Sequence, residues 1–502
     1  MRTAFLPLIL IILAAGTLTS CRKEAKFTDE SGISLDLSRD TVLFDTLFSG
    51  VGSVTKRFVA RNPSANAVRV DIALEGGSPS PYRLNVDGAT GITFDDVEIL
   101  GGDSIYVFVE VTLDQGNSSN PFIIQDHVLF NTNGTAQQVL LEAWGQNAHF
   151  ITIGPDSIQI EGLPSFSYIA GGLDENGIQI CETVTWVDDL PYVIYGYGVV
   201  DSCCTLIIEP GVDVYFHGGG GLWVYRYGQI KANGDLSQPI TFQGDRLEPF
   251  YAELPGQWDR IWLNEGPAEF TNEFSNVLIK NALVGIQCEN VPWRPEEPTS
   301  AQKLILNSVK IRNCSAAGIL SRNYSIQATN LLVGDCGQYG VALTGGGEYQ
   351  FEHFTIANYW SYGIRQTPAF YMNNVYQTAN ELQVRDISNS TFINGLVHGS
   401  NENEFQFSFN DLQLPSSLSF THALLRTTQS SNSPYFPDPS TIYRNQNPAF
   451  VDASARDFHI RPNSAAADRA IPSSNTFALF DLDGVDRGID GQRDLGCYEV
   501  TP

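Results

Sequence analysis

Positive charge is what this 502-residue sequence has least of: 29 Lys and Arg stand against 56 Asp and Glu, for a formal net charge of −27. Nucleic acid is gripped chiefly through clustered Lys and Arg, so it is excluded as a main partner, as is an anionic membrane surface. Charged residues of either sign reach only 17%, below the usual quarter, and Met occurs twice. Catalytic signatures are also missing. There is no Gly-x-Ser-x-Gly elbow, no His-Glu-x-x-His and no paired Cys-x-x-Cys. Gly218–Gly221 and Gly345–Gly347 lack the following Lys-Ser/Thr of a phosphate loop and read as wide turns. The seven His are scattered, and lone His residues on strands are more often structural than catalytic.

What is present is apolar and turn-rich: 42% hydrophobic residues, 11% aromatics and 45 Gly. That composition supports a large core and an extracytoplasmic β protein. Ala4–Gly16 is an uncharged stretch behind Arg2, too short for a bilayer span of roughly 20 residues. It leads into Leu18-Thr19-Ser20-Cys21, which resembles the lipobox of bacterial lipoproteins. The resemblance implies a signal peptide over residues 1–21, lipidation at Cys21, a tether over 22–29 and an exported, outer-membrane location, with the membrane reached by the lipid anchor alone. Seven further Cys cannot form a closed disulfide set. Cys181 is placed to bridge to Cys203 or Cys204, and the others read as buried thiols.

Residues 30–150 alternate polar and apolar in short runs such as Val68-Arg69-Val70-Asp71-Ile72 and Ser104–Val111, which predicts an immunoglobulin-like β-sandwich. Phe58–Asn62 with Pro63, Leu100–Asp103 and Asn131–Gly134 resemble hydin-type immunoglobulin-like domains, implying a non-catalytic spacer or adhesion module. Residues 151–180 read as a connector.

From 181 to about 450 short strands between Gly turns repeat. Anchored on Asn281, Asn313, Asp335, Asn358 and Asn394, the spacings are 32, 22, 23 and 36, the long ones containing insertions. A period in the low twenties without the leucine-rich consensus predicts a right-handed parallel β-helix. Asn tolerates left-handed corners and stacks amide on amide, and 21 of the 33 Asn lie between 264 and 447. The five anchors are therefore expected to form one structural ladder. Residues 451–502 carry Ala467–Ala470, Asp481–Gly484 and Gly491–Glu499, which resemble the choice-of-anchor Q region, with Cys497 in place of the usual Ala. The resemblance implies a cap over the solenoid end. The fold expected is all-β: sandwich, β-helix, cap.

No cofactor is expected. Asp481, Asp483, Asp486, Asp490 and Asp494 leave Ca2+ as the weaker reading against a hydrogen-bonded cap, because their spacing is not that of an EF-hand. If Val212, Val214, Phe216, Leu222 and Val224 point inward, Asp213, Tyr215, His217, Trp223 and Tyr225 point outward. Asp245-Arg246 and Trp258-Asp259-Arg260 fall on nearby rungs. Exposed rings beside Asp and Arg suit sugar binding. The expected function is a non-catalytic surface module binding a glycan or another surface partner. The alternative is a polysaccharide lyase or glycoside hydrolase, which needs a base beside a cation site or two carboxyls facing one groove.

Overall fold

The computed structural model describes residues 25–49, 52–113, 122–153, 164–248, 250–290, 299–377 and 381–501. Cys21, the signal stretch and most of the 291–300 insertion lie outside the described residues. The chain divides into two compact units between Asn147 and Ala148.

The first unit is an immunoglobulin-like β-sandwich of two five-stranded sheets. One runs in the order Asp36–Leu37, Lys56–Arg61, Ser104–Val111, Tyr82–Val86, Ala89–Gly91. The other runs Thr41–Phe48, Thr135–Gln146, Phe122–Thr132, Val68–Leu74, Thr93–Ile99. Strict alternation puts Val68, Val70, Ile72 and Leu74 inside and Arg69 and Asp71 outside. Asn62, fully buried, donates to Ile99 O (3.1 Å) and Asn66 O (2.8 Å), tying the Asn turn to the opposite sheet.

The second unit is a right-handed parallel β-helix of twenty-one strands among the described residues. Each rung contributes to three faces. Tyr192–Ile194, Tyr197–Val200 and Thr205–Ile208 are followed on the next rung by Asp213–Phe216, Gly221–Val224 and Gln229–Asn233, in parallel register. One inward column of the first face runs Val214, Phe242, Ile279, Ile311, Val333, Ile356, Val397 and Leu425. Neighbours in such a column sit about 4.8 Å apart, so each side chain covers the next. Stacking begins before residue 181. His149–Ile151, at the end of the span expected as sandwich, and Phe166–Ala170, inside the span expected as a connector, already pair in parallel with the next rung. Cys181 is bridged to Cys203, and Cys204, Cys288, Cys314, Cys336 and Cys497 are free and buried.

The expected single ladder is two ladders. Asn281, Asn313 and Asp335 share the corner after the first face, with φ of 65°, 60° and 51°, and Asn358 follows them in register. Asn313 Nδ2 donates to Asn281 Oδ1 at 2.7 Å, the amide-to-amide bond that stacking requires. Asp335 has no amide. Its carboxylate accepts from Tyr359 N and Arg456 Nε, both at 3.0 Å. Asn394 is not the fifth member, because Asn358 pairs with Gly399. Asn394 belongs to the corner before the first face, in the column Asn276, Ser308, Asn330, His353, Asn394 and His422, all left-handed. Both corners demand the same backbone angle, so Asn marks both.

The C-terminal cap lies along the flank rather than over the end of the solenoid. Outward positions of the first face are apolar at Leu332, Leu396 and Leu424, and Leu482, Leu495, Cys497 and Tyr498 are buried in the same clusters. Cys497 N donates to Thr355 Oγ1 (3.0 Å), and Gly496 N to Asn394 O (2.9 Å). Arg487, fully buried, pairs with Glu499 and donates to Asn330 Oδ1 (2.8 Å). The five Asp of this region each accept local backbone N–H groups or meet a side chain of this unit. Among the described residues no three His, Cys, Asp or Glu side chains gather to hold an ion.

Candidate functional site

The outward side of the second face carries the candidate site. Parallel register lines up Tyr168, Val199, Trp223, Trp262 and Gln287 in one column. Trp223 and Trp262 stack with centroids 4.7 Å apart and planes at 13°, while Phe166 and Tyr225 meet Trp223 edge-on. Each indole finds an acceptor: Trp223 Nε1 donates to Asn264 Oδ1 and Trp262 Nε1 to Glu289 Oε1, both at 2.7 Å. The stacked indoles therefore border a polar position, Gln287, in the same column.

Beside this column Tyr197 lies across Gly221, where an added Cβ would sit 2.8 Å from the phenol ring, and its hydroxyl donates to Asp259. Arg260 donates to the same carboxylate through Nε and Nη2, at 3.0 and 2.8 Å, and to Gln287 through Nη1. Glu289 receives Arg322 Nη1 at 3.2 Å. Burial, reinforced by Asp259, pushes the Tyr197 phenol far above its ordinary range, so it serves as a fixed donor rather than as a base.

Not all the expected platform residues face the solvent. Trp258 is in the core, 1% exposed, with its ring 4.1 Å from Phe216 and its indole donating to Lys280 O at 2.9 Å. Alternation fails there because both Asp259 and Arg260 lie outside, and the register with the next rung slips between Arg260 and Ile261. Trp223 points outward but is 5% exposed, covered by its aromatic neighbours. Tyr215 is likewise outward and buried, and burial raises the Asp213 carboxyl. The rings that remain open are Tyr168, 38% exposed, and the partly exposed Tyr225 and Trp262. Trp262 and Tyr168 were not among the expected residues. The slip at Arg260 hides the parity of Trp262, and Tyr168 sits in the presumed connector.

The remaining expected residues form a separate group on the first face. His217 Nδ1 meets Asp245 Oδ2 at 2.6 Å, which raises the imidazole pKa, and its ring stacks on Tyr195 at 4.4 Å. Arg246 pairs with Glu248 at 3.0 Å and lies 3.9 Å over the Tyr251 ring. The loop carrying these residues is pinned to the solenoid, with Lys280 Nζ and Asn281 Nδ2 donating to Ala252 O at 3.3 and 2.9 Å. Concavities lie away from the aromatic column, among them a groove of about 870 Å3 on the sandwich, beside Arg83 and Phe108, and one of about 530 Å3 at the last rungs.

No family model matches the chain, and no curated protein matches it. Among solved structures, a family 123 glycoside hydrolase from Clostridium perfringens aligns at 8% identity, TM-score 0.17, over 22% of this chain and 26% of that one. A PapD-like domain of human CEP192 aligns at 12% identity, TM-score 0.16, over 23% of this chain and 85% of that domain. The CooA pilin subunit from enterotoxigenic Escherichia coli aligns at 10% identity, TM-score 0.17, over 23% of this chain and 98% of the pilin. At these scores the overlaps carry no argument about function.

Proposed function

We propose that this chain is a lipid-anchored, extracytoplasmic surface protein whose β-helix binds a glycan along the outward side of its second face. One observation carries the reading: a single column holds Tyr168, then, past Val199, the stacked Trp223 and Trp262, and then the fixed polar Gln287. Rings stack on sugar faces, and the flanking Asp259, Arg260 and Glu289, already oriented, supply acceptors and donors for hydroxyls. Asp259 and Glu289 are each held by an arginine and a ring donor. That arrangement favours recognition over the free carboxyl pair that glycoside hydrolysis uses. The sandwich then acts as a hydin-type spacer and the flank segment as a choice-of-anchor Q-like cap, both on sequence resemblance.

A glycan array with the detergent-solubilised full chain, followed by reducing-end assays on each hit, tests the reading. Binding without product formation supports it, and release of reducing ends assigns the chain to the carbohydrate-active enzymes. The anchor has its own test: Cys21→Ala should move the protein out of the membrane fraction and lower its mass by the lipid. Unchanged mass and partitioning would reject lipidation.

A further inference from the structure

The concavity at the last rungs is basic in a strongly acidic chain. It measures about 530 Å3 and is lined by His398, Glu402, Arg426, Arg444 and Asn447, among others. Val397 pairs with Leu425 and Leu425 with Arg444, which places Arg426 one rung above His398 at the corner. Arg426 Nη1 donates to Gly399 O at 2.9 Å, and Arg444 Nη2 reaches Thr427 O only at 3.5 Å. Arg444 Nε is buried without a partner. Among the described residues neither guanidinium is ion-paired, although acids outnumber bases almost two to one. Glu402, the one acid among the lining residues, is exposed at the rim.

His398 adds a neutral polar ring. Its Nδ1 is 2.8 Å from Tyr359 OH, and its ring lies against Tyr359 and Phe450. Burial, and then Arg426, lower the imidazole pKa to about 4, so the ring is uncharged at neutral pH.

We propose that this groove binds the carboxylate or sulfate of an acidic sugar residue. Two guanidiniums without an ion-pair partner supply the N–H forks that carboxylate and sulfate oxygens accept from. The volume exceeds what a bare anion fills, and the exposed side chains of Asn447 and Thr428 suit a sugar's own hydroxyls. The site shares no residue with the aromatic column and stands without the reading given to it.

Titration calorimetry on the detergent-solubilised full chain tests this, with digalacturonate, a sulfated chondroitin disaccharide and neutral galactobiose as probes. At least one acidic disaccharide should bind, galactobiose should not, and affinity should fall as salt rises. Arg426→Gln and Arg444→Gln should each weaken binding at least tenfold. Glu402→Gln, a rim change with no core contact, should tighten it about two- to threefold. No binding of either acidic disaccharide, equal binding of galactobiose, or indifference to all three groove variants would overturn the proposal. Sodium sulfate or acetate binding as tightly as the disaccharides would reduce the site to a general anion trap and overturn the sugar assignment.

Discussion

Asn313 and Asn394 have the same side chain and the same left-handed backbone, yet they hold different parts of the molecule. Asn313 donates to Asn281 Oδ1 and Glu253 O, joining two rungs and a loop. Asn394 donates to Ile471 O (2.9 Å) and accepts from Ile471 N (3.0 Å), joining the solenoid to the flank segment. Asn313→Ala strands buried partners and should cost about 1–3 kcal/mol, read as a fall in melting temperature. A melting temperature equal to wild type would remove the ladder from that corner. Trp223 makes a second prediction at this scale. Because it is outward but covered, Trp223→Ala should open a cavity and cost about 3–5 kcal/mol. Sequence alternation fixed its direction correctly, but exposure depends on Trp262 and Phe166, which come from distant stretches of the chain.

The strands of the sandwich and of the early rungs were legible because one face is wet and the other dry, so side chains alternate. Three elements were not. The strand Trp258–Leu263 breaks parity at Arg260, so Trp258 turns into the core and Trp262 out of it. Phe166–Ala170 precedes the visible repeat and lacks its Asn anchor, so it passed for a connector. The flank segment announced itself only indirectly, as apolar residues at outward positions such as Leu332, Leu396 and Leu424. Its attachment gives a pH prediction. Asp483 meets Lys310 at 3.1 Å and His459 at 2.7 Å. The His459 bond, chiefly, holds the Asp483 carboxyl down at about 2 and raises His459 above its usual value. The carboxylate's contribution is present above its ordinary pKa of 3.8 and is lost as pH falls through about 2. The imidazole's contribution is full below its ordinary value of 6.5 and fades as pH rises through its higher folded value. These groups are partly exposed, so the tie is worth less than about 1 kcal/mol. The melting-temperature gap between wild type and His459→Gln should therefore be widest between about pH 4 and 6.5 and close on either side. A gap independent of pH would assign the tie to packing.

For the molecule as a whole, composition and period were enough for an all-β chain with a sandwich followed by a solenoid, because both depend on repeated local patterns. The site was only half legible. The sequence pointed to the rungs that carry the aromatic column, whereas which rings stay open depends on stacking between rungs more than thirty residues apart, such as Trp223 on Trp262. The glycan reading rests on the open rings, and one measurement reaches it most directly. The double variant Tyr168→Ala, Tyr225→Ala removes the open rings at the edge of the cluster and leaves Trp223 stacked on Trp262. Affinity for the array's best glycan should fall at least tenfold, a loss of about 1.4 kcal/mol or more, while the melting temperature barely moves. Unchanged affinity in that variant, with the fold intact, would contradict the account and leave the aromatic column as scaffold.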